Sequence, residues 1–86
     1  MGKRRISGES LMDIDIELDV KGLQCPMPIL RAKKQLSQMV SGQVLRVIAT
    51  DKASPIDFAV FCDNTGNDLL SSTEQNGEFQ FLIKRR

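Results

Sequence analysis

The chain contains no histidine, no tryptophan and no tyrosine. Without histidine, the Cys–His nucleophile pair of protease-type chemistry cannot be assembled. A zinc site is equally unexpected, because two cysteines cannot close a site whose usual other ligand is missing. We therefore expect no metal. With only four phenylalanines as aromatics, base stacking on single-stranded nucleic acid would have a thin platform. A net charge of +1 favours no polyanion, so direct nucleic-acid binding is not expected. No apolar run approaches the length needed to cross a membrane, and no secretory signal precedes the domain, so the expected location is the cytoplasm.

What remains is small. Eighty-six residues with a 41% hydrophobic share make one domain, near the lower limit for folding on a single core. Residues 1–12 open with MGKRRISGES, basic and polar, and read as a disordered tail. The single domain spans residues 13–86. Its two cysteines, Cys25 and Cys62, suggest reduced thiols in a cytosol rather than a disulfide.

Periodicity gives the elements. DIDIELDV (13–20) alternates strictly, with Ile14, Ile16, Leu18 and Val20 on one face, the pattern of a half-buried strand. From Pro28 to Val40 the period turns helical. Ile29, Ala32, Leu36, Met39 and Val40 share one arc, and Ser41–Gly42 stops the helix. VLRVIAT (44–50) is nearly continuous in its hydrophobicity, as in an interior strand. In SPID, Ser54 is the expected N-cap, Pro55 the first helical residue and Asp57 an acidic third. That helix runs to about Asp63 or Asn64, with Gly66 beyond it. DLLSSTEQNGEFQFLIKR reads as two short strands about the Asn76–Gly77 turn. The order β-α-β-α-β-β predicts an α+β fold, a two-layer α/β sandwich with a mixed four-stranded sheet and both helices on one face. A right-handed crossover between the first two strands would bring KGLQCP and TDKASP together at the carboxyl ends of the strands, where ligand sites of open sheets gather.

Cys25 sits at that edge, between the polar KGLQ and a helix entered through Pro26 and Pro28. The prolines stiffen the entry. Free N–H groups of the first turn and the helix dipole would favour thiolate over thiol, with Lys21 as a further cation. The residues alone leave two readings open: a reactive thiol, or a cysteine that merely packs. Cys62, inside FAVFCD, reads as packing. Pro28 stands where a thioredoxin-like pair needs its second cysteine.

LDVKGLQCPMPILRAKKQL, SGQVLRVIATDKASPIDFAVFC, GNDLL and FQFLIKR together resemble the TusA family of small sulfur carriers, also called SirA-like, over residues 13–86. The most specific element is the Cys-Pro-x-Pro of Cys25, Pro26, Met27 and Pro28. The resemblance implies that Cys25 accepts sulfane sulfur as a persulfide. The donor would be a pyridoxal-phosphate-dependent cysteine desulfurase or another sulfurtransferase. An acceptor protein serving tRNA thiolation, molybdenum-cofactor assembly or sulfur oxidation would follow. No cofactor belongs to this chain in that scheme. Pro26, Met27 and Pro28 would present the thiol.

Other residues suggest where a partner docks. Leu30 lies off the apolar arc, near Lys33 and Lys34, and could meet an acidic partner surface. Asp51 is a further candidate, or a turn residue. In the second helix, Ile56, Ala59 and Val60 fall on one side, with Phe58, Phe61 and Cys62 toward the other. Either the helix wedges deeply, which we expect, or some of these residues form an interaction surface. The basic GKRR and IKRR ends read as solvated tails. Two other classes stay open: an adaptor module with a structural Cys25, and a redox sensor pairing Cys25 with Cys62.

Overall fold

The computed structural model describes residues 14–86; the basic tail read at 1–12, with its GKRR run, lies outside them. Six elements follow in the expected order: β1 (Ile16–Val20), α1 (Met27–Ser37), β2 (Val44–Ala49), α2 (Ser54–Thr65), β3 (Asp68–Gln75) and β4 (Glu78–Lys84). They form one four-stranded sheet in the order β1-β2-β4-β3. β1 and β2 are parallel, while β4 is antiparallel to both β2 and β3. The sheet is mixed, and the architecture is the α+β two-layer sandwich.

The interior position of β2 explains its composition. A strand paired on both sides and packed on one face gains most from β-branched residues. Leu45, Val47 and Ala49 are fully buried beneath the helices, beside Phe81 and Ile83 of β4. Phe58 of α2 stacks on Phe81, with ring centroids 4.7 Å apart and planes 22° off parallel. Phe61 meets Phe58 edge-on at 6.3 Å. Phe58 and Phe81, both fully buried, each stabilise the fold by about 1.5–3 kcal/mol.

Turn chemistry closes the strands. Asn76 and Gly77 both take positive φ, 54° and 82°, the pairing that matches a two-residue hairpin to strand twist. Gly66 ends α2 in the left-handed region, its N–H donating to the Cys62 carbonyl at 2.9 Å.

Several boundaries differ from the periodic reading. β1 begins at Ile16, and Ile14 lies outside the strand, 38% exposed. The Asp15 carboxylate instead accepts the Val44 N–H at 2.8 Å, capping the ladder where the strand was expected to continue. α1 stops at Ser37 rather than Val40. Gln38 and Met39 donate to carbonyls three residues back, tightening the last turn. Met39 still reaches the core, but Val40 swings out to 65% exposure. Ser54 is not the N-cap of α2. The helix starts one residue earlier than expected, because Asp51 takes the capping work: its carbonyl accepts the Ser54 N–H and its Oδ1 the Ala53 N–H.

Two larger expectations are corrected. α2 does not wedge: Phe58 and Cys62 are buried, but Ile56 is 71% and Val60 52% exposed. A helix lying on one sheet face buries one stripe, and the opposite apolar residues are left outside. The carboxyl-terminal basic run is not simply a solvated tail either. Arg85 Nε donates to the Leu36 carbonyl at 2.9 Å, serving the end of α1 where a cation is favourable.

Candidate functional site

Two loops leave the parallel strands at the same edge and are tied to each other. The Gly22 N–H donates to Thr50 Oγ1 at 2.9 Å. The Cys25 N–H donates to Asp51 Oδ2 at 2.7 Å. The crossover between the parallel strands therefore places KGLQCP and TDKASP as neighbours. The juxtaposition was readable from topology, whereas the two hydrogen bonds that fix it were not.

Cys25 is exposed. Its peptide bond to Pro26 is cis. Pro26 caps α1 and Pro28 sits in its first turn, buried against the core side. Pro26 has φ −98°, outside the helical value that its ring would most readily supply. Met27 follows Pro26 and is 38% exposed beside the thiol.

The start of α1 offers the sulfur less than its position promised. Pro26 and Pro28 have no N–H to give. Met27 N–H donates to the Gln24 carbonyl at 2.8 Å and Leu30 N–H to the Pro26 carbonyl at 3.1 Å, while Cys25's own N–H is held by Asp51. The nearest charges are negative. The Asp57 carboxylate as a hydrogen-bond acceptor for the thiol, some desolvation, and the charges of Asp57 and Asp51 all push the Cys25 thiol above its ordinary value. The expected depressed thiol is therefore overturned: near neutral pH Cys25 rests protonated. Lys21 does not counter this, because its ammonium turns to Asp19 at 3.6 Å.

Asp57 is the residue that sequence reasoning left in the wrong role. It stands in the first turn of α2 and makes no side-chain cap there, while its carboxylate acts on the thiol. The available signal was a Cys before one helix and an Asp in the first turn of another, with the crossover bringing the two helix starts to one edge. Asp51 is a loop anchor, holding Cys25 N–H with one oxygen and Ala53 N–H with the other. Leu30, 51% exposed, and the exposed Lys33 and Lys34 lie on the outer side of α1. Ile56 and Val60 lie on the outer side of α2, opposite its buried Phe58 and Cys62. Exposed apolar residues thus lie on both of the helices that the two joined loops lead into.

Cys62 behaves as packing. It is 4% exposed within the core cluster. Burial, with the Asp68 charge adding to it, pushes its thiol up to about 11. Pairing it with Cys25 would require Cys62 to leave the core.

Comparison with known proteins bears on this arrangement. Residues 16–85 match the family model described as sulfurtransferase TusA. A sulfur carrier protein TusA from Allochromatium vinosum is 59% identical over 75 residues, which span 87% of this chain and 99% of that protein. A putative sulfur carrier protein from Neisseria meningitidis is 54% identical over 69 residues, 80% of this chain and 93% of that one. Among solved structures, a SirA-like protein from Desulfitobacterium hafniense superimposes with a TM-score of 0.74 at 28% identity, covering 81% of this chain and 96% of that one.

Proposed function

The chain belongs to the TusA sulfurtransferase family, and from that premise we propose that Cys25 is the residue that carries the sulfur. One observation supports the assignment above others. Of two free thiols, Cys62 is sealed in the core while Cys25 is exposed at an edge where two strand-end loops are bound together. A carrier thiol has to be reachable by two different proteins in turn, and Cys25 is.

The reaction is a transfer of sulfane sulfur. Cys25 gives up its proton, and the thiolate attacks the outer sulfur of a persulfide on the donor. A new S–S bond forms at Cys25, the donor's S–S bond breaks, and the donor cysteine leaves as a thiolate that takes up a proton. The acceptor's nucleophile later repeats the step on the outer sulfur of Cys25 persulfide. This chain supplies no histidine or other neutral-range base for either proton, so the partners complete that part of the chemistry.

The donor in this scheme is a cysteine desulfurase or another sulfurtransferase, working in the cytoplasm, where thiols stay reduced. The acceptor is a protein of tRNA thiolation, molybdenum-cofactor assembly or sulfur oxidation. Pro26, Met27 and Pro28 present the thiol. Leu30, Lys33 and Lys34 on α1, with Ile56 and Val60 on α2, receive the donor protein. Residues 13–86 act as the carrier domain.

Intact-mass spectrometry after incubation with a cysteine desulfurase and cysteine, without reductant, tests the proposal. One added sulfur atom should appear on Cys25, survive in Cys62→Ser, vanish in Cys25→Ser and be removed by reductant. Sulfur located on Cys62, or none on a folded chain with an alkylatable Cys25, would refute it.

A further inference from the structure

Both carboxylates beside Cys25 come from the second loop and helix, not from the cysteine's own segment, and neither has an ion-pair partner among the described residues. Among the described residues the one ion pair is Lys21 with Asp19. Lys52 is exposed next to Asp51 in sequence but forms no ion pair with it, and Lys33 and Lys34 stand one to two turns further along α1. Asp51 is also held in place. Its two carboxylate oxygens accept the Cys25 N–H at 2.7 Å and the Ala53 N–H at 3.3 Å, and its carbonyl accepts the Ser54 N–H at 2.9 Å. A side chain bound through both carboxylate oxygens, on a backbone that is itself hydrogen-bonded, keeps its charge at a fixed place beside Cys25. Asp57 follows in the first turn of α2, its N–H donating to the Ala53 carbonyl at 2.9 Å.

We infer that Asp51 is a positioning residue for Cys25 and that, with Asp57, it selects reaction partners carrying a positive charge beside their reacting sulfur. The inference rests on the reading of Cys25 as the carrier thiol and adds what the partner must bring. A lysine or arginine next to the partner's persulfide would occupy the space between the two carboxylates. There it would offset the charges that keep the thiol protonated, so thiolate would form when the right partner arrives. An anionic partner would be repelled and would deepen the protonation. Three features point the same way: two acids without an ion pair among the described residues, an exposed thiol whose own N–H one of them holds, and exposed apolar side chains at Met27, Leu30 and Ile56 on which a protein can rest.

Thiol–disulfide exchange with small probes isolates the charge effect from the relay. The reduced chain is reacted at low ionic strength with cystamine, 2-hydroxyethyl disulfide and dithiodipropionate, which are dicationic, neutral and dianionic. In each case the Cys25 thiolate attacks one disulfide sulfur, a mixed disulfide forms, and the other thiolate leaves. Rates are divided by those of a neutral model thiol, N-acetylcysteine amide. We expect the normalised rate to favour cystamine over dithiodipropionate by about tenfold or more, with the hydroxyethyl probe between them. Half-molar salt should flatten the series. Asp51→Asn and Asp57→Asn should each remove about threefold of the preference and shift the pH–rate profile of alkylation by neutral iodoacetamide to lower pH. Asp51→Asn keeps an acceptor for the Cys25 N–H, so protection of that amide from hydrogen exchange should persist; Asp51→Ala should lose it. A normalised ratio near one in the folded wild-type chain overturns the selection, and that result needs no variant to fold. An unprotected Cys25 amide in the wild type overturns the positioning role. Neither outcome touches whether Cys25 takes sulfur from a desulfurase, which the mass experiment decides separately.

Discussion

Replacing Leu30 and Ile56 by glutamine separates surface that folds the protein from surface that binds. Both side chains are helical, and glutamine is as good a helix former as leucine and better than isoleucine. Leu30 is 51% exposed and Ile56 71%. Complete burial of a leucine or isoleucine side chain is worth about 1.5–3 kcal/mol, so the share still open to water could contribute about 1–2 kcal/mol on docking. For folding, exposed substitutions of this kind usually stay within about 0.5 kcal/mol. The assay is the initial rate of persulfide formation on Cys25 at limiting carrier, followed by intact mass, beside thermal unfolding of the same samples. Each variant should lower kcat/KM by about 5- to 30-fold and move Tm by less than about 4 °C. The two sites lie on different helices, and their effects should roughly multiply. Unchanged kcat/KM in both variants would refute the docking surface. A loss of rate that merely tracked a loss of stability would refute the reasoning that these residues are free of the core.

Other perturbations probe the scaffold. Phe58→Ala should remove about 3–5 kcal/mol by emptying a fully buried site and breaking the stack on Phe81; urea denaturation should show most of the domain's stability gone. The Cys62 thiol, raised to about 11 when folded, contributes stability that is complete below its unfolded value near 8.5 and is lost as pH rises through 11. Stability should therefore fall by about 2 kcal/mol between pH 8.5 and 11, and Cys62→Ala should be flatter over that window. Gly77→Ala should cost about 1 kcal/mol from its left-handed backbone alone, since a Cβ there meets nothing within 4 Å. Gly66→Ala should cost a similar amount, because the exposed Arg86 side chain that its Cβ would meet at 2.8 Å can swing aside; thermal unfolding compares the two. Lys33→Gln with Lys34→Gln should lower the rate of sulfur uptake and weaken its salt dependence, as rim charges act mainly on encounter.

The sequence carried the architecture because period and turn chemistry agreed at each element. β2 read as interior and is interior; Asn76–Gly77 read as a hairpin and both residues have positive φ. Boundaries were less legible, for a physical reason. Val40 keeps the helical phase of Leu36, but backbone hydrogen bonds end the helix first, and phase says nothing about hydrogen bonds. The exposed Ile56 and Val60 were misjudged because hydrophobicity alone cannot distinguish a core stripe from a surface stripe on a helix apolar all round. Cys25 was legible as a site from its prolines and its strand end. Its electrostatics were not, since they depend on Asp51 and Asp57, more than 25 residues away in the chain and brought alongside only by the crossover.

A protonated resting thiol suits a protein that travels between partners better than a thiolate would. Thiolate is the form that attacks peroxide, disulfides and metals without discrimination, and an exposed carrier cysteine meets all of these. Raising the thiol lowers that background, and it would equally slow the wanted reaction if nothing relieved it. Among the described residues little of that relief is in reach: there is no histidine, Lys21 turns to Asp19, and at the start of α1 the prolines have no N–H while the Met27 and Leu30 N–H groups are already bonded. In the proposed scheme the charge that frees the thiolate arrives with the partner, which makes recognition and activation one event. The same carboxylates also predict the direction of release. Once the outer sulfur is attacked, Cys25 leaves as a thiolate beside Asp51 and Asp57, and that departure is hardest alone and easiest while a cationic acceptor still occupies the site. Transfer to small nucleophiles in solution should accordingly be slow relative to transfer within a docked pair, and raising the salt should narrow that gap by loosening the pair.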